Sequence, residues 1–284
     1  MSATRVALRS LPAPRLESAL PAAAPLAAFA LMFGPTVAGL LTDWASSAEY
    51  GHGFLLLPVA GYLAWKRRAP RASGAPLAGL LVLSAAVGLF LLGVLAAEFF
   101  TRRAAVLLAL AGLALYFRGR AQVRAWWLPF GLLAFTIPLP EVVLNSITLP
   151  LQLLASRLAV GLLELRHVPV AQAGNIIFLP GQELFVAEAC SGLRSVSALL
   201  GLTLLIASTA LRTVSGRLFL VALAVPAAIG ANVLRVFATG FGAHYIGPEM
   251  ASGTPHSLLG ALVFVMPLGL LGLAAMGVKR VEDR

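Results

Sequence analysis

Ala75 to Ala97 reads APLAGLLVLSAAVGLFLLGVLAA, an apolar run without a single charged residue. About 20 such residues make a helix that crosses a bilayer, and a helix apolar all round cannot face water. Outward from this stretch, further apolar runs cover about Ala22 to Leu41, Gly53 to Trp65 and Ala104 to Phe117. Others follow at Trp126 to about Leu139, about Cys190 to Leu211, Leu218 to Thr239 and Ser257 to Val278. The chain of 284 residues is 60% hydrophobic and only 11% charged, with a mean hydropathy of +0.92. Soluble domains carry roughly 25% charged residues. These features predict an all-α polytopic membrane protein with about eight transmembrane helices, forming one integral-membrane domain over residues 1–284.

One stretch resists this count. Val142 to Leu165 is long enough to cross, yet it carries Asn145, Gln152, Ser156 and Arg157. Arginine at the bilayer centre is costly, so the expectation is an amphipathic, partly inserted segment on one side. Charge then orients the chain. Fifteen of the 21 basic residues fall on one side, in clusters such as Lys66, Arg67, Arg68 and Arg71, or Arg118, Arg120 and Arg124. Eight of the 11 acids fall on the other, among them Asp43, Glu98, Glu183, Glu188 and Glu249. The basic side is expected in the cytoplasm, with both termini. The formal charge of +10 is explained by this bias, and no basic face interleaved with aromatics suggests nucleic acid.

That orientation brings chemistry to one face. Cys190, the only cysteine, opens the sixth run on the outer side; Arg235 lies near the outer end of the seventh; His256 opens the eighth. A lone cysteine forms no internal disulfide and is most simply a small buried hydrophobe. Here Glu188, Ser191, Gly192 and Arg194 surround it, the kind of polar, cationic setting in which thiolates become nucleophiles. Histidine is a recurrent base for such a thiol. Arg235 interrupts an apolar span, and an intramembrane charge either snorkels to the interface or serves function. Asn232, one turn before Arg235, and His52, also on the outer side, are candidate supporting residues. His167 and His244 lie in outer loops without a spacing partner, and no HExxH, CxxC, Walker or GxGxxG pattern occurs, so neither metal nor cofactor is expected. On the residues alone an enzyme competes with a non-catalytic membrane component that needs no nucleophile. A transporter is disfavoured, since there is no internal repeat and the polar groups gather at one face.

The segment Glu188-Ala189-Cys190-Ser191-Gly192-Leu193-Arg194-Ser195 resembles the cysteine motif of exosortases, multi-span relatives of the archaeosortases. Ala231-Asn232-Val233-Leu234-Arg235-Val236 is similar to the family's arginine motif, and His256, ahead of a last apolar run, to its third element. Tyr50-Gly51-His52-Gly53-Phe54, Tyr62-Leu63-Ala64-Trp65, Phe135-Thr136-Ile137-Pro138-Leu139-Pro140 and Gly174-Asn175-Ile176-Ile177 extend the likeness over about residues 43–270. The resemblance implies a membrane cysteine transpeptidase or protease in which Cys190, Arg235 and His256 are catalytic, within a catalytic half of about 140–278. It implies substrates exported with a C-terminal tail made of a Pro-Glu-Pro-like motif, an apolar helix and a basic cluster. It further implies a bacterial inner-membrane location with the site facing the periplasm, membrane lipid as surroundings, and a link to exopolysaccharide machinery. The alternative is a non-catalytic membrane component of exopolysaccharide assembly or export.

Overall fold

The computed structural model describes residues 20–47, 50–70, 74–186 and 192–284, with the side chains of 20–23 and 192–197 left aside. Its elements in chain order are α1 (Leu20–Ser46), α2 (Gly53–Lys66), α3 (Pro76–Leu95), α4 (Phe99–Ala125), α5 (Trp127–Ala134) and α6 (Glu141–Glu164). Three short strands follow, β1 (Ala171–Ala173), β2 (Ile176–Leu179) and β3 (Gln182–Phe185). Then come α7 (Gly192–Ala210), α8 (Val214–Tyr245), a 3-10 turn at Pro248–Ala251 and α9 (Gly253–Glu282). The protein is a helical, polytopic membrane protein, and several helices differ in length from the apolar runs of the sequence. Among the described residues six are long and apolar enough to cross: α1, α3, α4, α6, α8 and α9.

The departures have local causes. Gly119 adopts φ 77°, ψ −177°, which breaks α4 near the end of the apolar run, and the basic stretch beyond it continues only to Ala125. The expected fifth span, Trp126 to Leu139, shrinks to the eight residues of α5. Thr136-Ile137-Pro138-Leu139-Pro140 cannot extend it, because proline has no N–H and restricts the residue before it. α2 has 14 residues and pairs with α5 along its length: Trp126 Nε1 donates to Ala64 C=O (2.8 Å) at one end, while His52 Nε2 meets Phe135 C=O (3.1 Å) at the other.

The ends of the bundle follow from these contacts. At one end Gln122 bridges to the chain after α2, accepting from Ala69 N–H and donating to Arg67 C=O, and Arg67 donates to Ser208 C=O near the end of α7. Here too Glu282 accepts from the Arg212 and Thr213 backbone, joining the end of α9 to the start of α8. Lys66, Arg67, Arg118, Arg124, Arg217 and Lys279 thus share this basic end. At the opposite end Trp44, 4% exposed, is the keystone. Its Nε1 donates to Thr136 C=O (2.9 Å), and its ring lies where a Cβ at Gly53 would stand, 2.4 Å away. Asp43 pairs there with Arg103. Glu98 caps α4 by accepting from Phe100 and Thr101 N–H. Burial acts to raise the Glu98 pKa, but those hydrogen bonds and the nearby Arg103 outweigh it and hold the carboxyl below its usual value. Between the two ends α3 and α4 run in close contact, since a Cβ at Gly79 would come within 2.5 Å of the Tyr116 backbone.

α6 is a continuous helix of 24 residues, long and apolar enough to cross by composition. Its neighbours place it otherwise. Four Cα steps separate it from Ile137, a reach of about 14 Å from the Trp44 end of the bundle. Its buried stripe of Gln152, Ala155, Ser156, Ala159, Val160 and Leu163 packs on the far half of α8, with Leu163 Cδ1 3.1 Å from where a Gly240 Cβ would be. Both ends of α6 therefore bear on the end of the bundle opposite the basic residues.

The sheet is the element that the run pattern did not predict. β1, β2 and β3 are antiparallel neighbours in that order, joined by the two-residue turns Gly174-Asn175 and Pro180-Gly181. Gly174 (φ 62°) and Gly181 (φ 79°) supply the positive φ such turns need. Ile177, Leu179, Leu184 and Val186 point from one face into a core shared with α6 and with Val233, Val236 and Ala243 of α8. Gln182 Nε2 donates to Ala243 C=O (2.9 Å), which fixes the sheet against the end of α8.

Candidate functional site

α8 has 32 residues, and at 1.5 Å per residue it runs to about 48 Å. It therefore exceeds the roughly 30 Å hydrocarbon layer and carries its last turns beyond it. Arg235 lies about two thirds of the way along, away from the basic end. Gly247 (φ 147°) and Gly253 (φ 69°) turn the chain back through the 3-10 segment into α9. Pro255 is tolerated in the first turn of α9, where no intrahelical bond is lost, and His256 follows it.

Arg235 and His256 meet: Nη2 lies 3.0 Å from Nε2, with both residues half-buried. A guanidinium has only donors, so a hydrogen bond in this contact requires Nε2 to accept. One turn after His256, on the same face of α9, stands Gly260. A Cβ there would lie 2.9 Å from Arg235 Nη2 and 3.2 Å from its Cζ, so a larger residue would push the guanidinium aside. Arg235 also lines a narrow cleft between α7, α8 and α9 with Leu199, Ala231, Asn232 and Val263.

The charge of Arg235 is the unusual part. Among the described residues no carboxylate pairs with it, and its Nε is buried without a hydrogen-bond partner. Thr239, one turn further along α8, has a buried Oγ1 in the same condition. Buried polar groups are normally satisfied, and exceptions mark strain or a missing ligand.

The candidate residues thus divide. Arg235 and His256 are in contact and Asn232 lines the same cleft. The described bond of His52 ties α2 to α5 through Phe135. Glu188, Cys190 and Ser191 lie outside the described residues, and the Arg194 side chain is not described. The flanks of that segment are placed: Val186 is buried in the core beside Val233 and Val236, and Gly192 begins α7. Among the described residues no group of three or more His, Asp or Glu residues is arranged to hold a metal ion. Gly260 and Thr239 escaped the sequence reading. The i, i+4 spacing of Gly260 from His256 was visible, but its meaning required the partner helix.

The family model described as transmembrane exosortase (Exosortase_EpsH) matches residues 44–273. The chain belongs to the transmembrane exosortase family. The match begins at Trp44, the keystone of the first helices, and ends inside α9, so it takes in Arg235, His256 and the sheet of this exosortase. No curated protein and no solved structure matches the chain.

Proposed function

We propose that this exosortase is a cysteine transpeptidase or protease of the bacterial inner membrane, with Cys190 as nucleophile and Arg235 and His256 as its partners. The observation that carries the reading is the Arg235–His256 contact, a guanidinium held by an imidazole with no described carboxylate to take its charge. Such a cation suits an anion that exists only during reaction, a thiolate or a tetrahedral oxyanion. Cys190 is four residues after Val186 and two before Gly192.

The contact also gives the mechanism an order. Neutral His256 has one lone pair, on Nε2, and Arg235 occupies it at rest. For His256 to act as base, the guanidinium must leave Nε2. The thiol proton then moves to Nε2 while the guanidinium turns to the thiolate. The sulfur attacks the carbonyl carbon, and Arg235 holds the oxyanion. Collapse breaks the C–N bond, the imidazolium protonates the leaving amine, and a thioester remains. Attack by an amine, or by water, regenerates Cys190. Asn232, Glu188, Ser191, Arg194 and His52 would support substrate and nucleophile around this centre.

In this reading the basic end is cytoplasmic and the site faces the periplasm. The substrate is an exported protein whose tail carries a Pro-Glu-Pro-like motif, an apolar helix and a basic cluster, and exopolysaccharide machinery is the associated pathway. The test is processing of a tagged, tail-bearing protein by Cys190→Ser and Cys190→Ala. Both should accumulate in the membrane and leave the substrate uncut. Full processing by both would discard the nucleophile and favour a non-catalytic role in exopolysaccharide assembly.

A further inference from the structure

Among the described residues, β3 leaves one side of the sheet unpaired. It is the last strand in the order β1-β2-β3, and Val186 N–H donates to Asn175 C=O (3.0 Å) just past its end. Bonded pairs alternate along an antiparallel ladder, so Leu184 and Gln182 also turn their N–H and C=O toward β2. The N–H and C=O of Glu183 and Phe185 then point away, and no described group bonds them. Glu183 is exposed and Phe185 is 43% exposed, while Leu184 and Val186 are buried against the stretch of α8 that carries Arg235. Proteins blunt such edges with short strands, charged side chains, proline or a covering element; β3 is short and carries Glu183 but has no described cover, and an uncovered edge is a template for another extended chain.

We propose that the free edge of β3 receives the extended segment of the substrate beside its scissile bond, as a fourth strand. The proposal rests on the reading of Cys190 as nucleophile. Chain continuity favours this occupant, because the strand leads within five residues from Phe185 to Cys190. A peptide aligned on β3 pairs with the strand that precedes the proposed nucleophile in sequence, and strand addition is an established way to bind extended peptides. The edge also suits a Pro-Glu-Pro-like motif. Only alternate residues of an added strand turn their N–H toward β3. With the central residue facing the edge, the two prolines, which have no N–H to give, face away. That central carboxylate fits opposite Phe185 and not opposite Glu183, where two like charges would lie side by side.

Proline substitution separates the edge from the ladder. Phe185→Pro and Glu183→Pro each remove an outward N–H and leave the β2 bonds intact, at edge positions that tolerate proline. The expected result, with purified enzyme in liposomes and a tail-bearing substrate, is a KM raised about tenfold with kcat near wild type. Phe185→Ala and Glu183→Ala keep the N–H and should change KM far less. A benzophenone side chain placed at position 185 of the Cys190→Ala chain provides a second measurement that does not depend on turnover. It should cross-link to the motif segment of the uncut substrate. Wild-type KM in both proline variants, or cross-links only to lipid or to a second copy of the chain, would overturn the proposal. An uncut substrate in the Cys190→Ala lane shows that the nucleophile reading stands in that event, whereas a cut one shows that it has failed.

Discussion

Arg103 on α4 and Arg235 on α8 both lie in helices long and apolar enough to cross a membrane, and they are partnered differently in kind. Arg103 is 8% exposed and pairs with Asp43, so its charge is cancelled where it sits. Its work is to join the end of α1 to the start of α4. Arg235 has an imidazole on one nitrogen, a glycine under its plane and a buried Nε without a described partner. Among the described residues no carboxylate takes its charge. The same residue type in the same class of helix is tied down where a carboxylate meets it and, in the proposed function, is left for chemistry where no described one does. Burial alone would have ranked Arg103 as the more interesting of the two.

The comparison can be broken most directly at Arg235. Arg235→Ala and Arg235→Lys should accumulate normally and slow processing by about 10² to 10³, since lysine lacks the planar fork. Near-normal processing by Arg235→Lys would reduce Arg235 to a snorkelling cation like any other. A smaller effect is expected at Gly260. Gly260→Ala pushes the guanidinium aside without removing it and should cost about 10- to 100-fold. In an Arg235→Ala background the same substitution should change little, because the two act as one unit. Additive losses would mean that Gly260 serves helix packing instead. The smallest effect on processing belongs to the structural arginine. Asp43→Asn leaves Arg103 uncompensated and should lower stability by about 1–3 kcal/mol, tempered by the partial exposure of Asp43. Thermal unfolding in detergent measures this, and kcat should not move. A fall in kcat at normal membrane levels would erase the distinction between the two arginines.

Much of this was legible in the chain. The uncharged run from Ala75 to Ala97 became α3 because nothing in it competes with a membrane helix. The meeting of Arg235 and His256 followed from counting crossings and basic residues, as both lie near the same end of consecutive helices. What escaped depended on partners. The length of α5 was set by prolines read only as part of a motif. The sheet was hidden because three- and four-residue strands carry little periodicity, although Gly174-Asn175 and Pro180-Gly181 bracketing Ile176-Ile177-Phe178-Leu179 is a hairpin signal. Gly260 has meaning only once a guanidinium lies over it.

If the chain cuts tail-bearing substrates as proposed, the length of α8 has a consequence for which of them it can cut. From Val214 to Arg235 the helix rises about 32 Å, close to the thickness of the hydrocarbon layer. A substrate tail anchored by its basic cluster at the same membrane face as Val214 would need a helix of about the same rise to bring its cleavage point level with Arg235. The enzyme would then act as a caliper: tails several residues too short would hold the motif below the site, and longer ones would carry it past. Selection would rest on tail length as well as on the motif, with the span of one helix as the gauge.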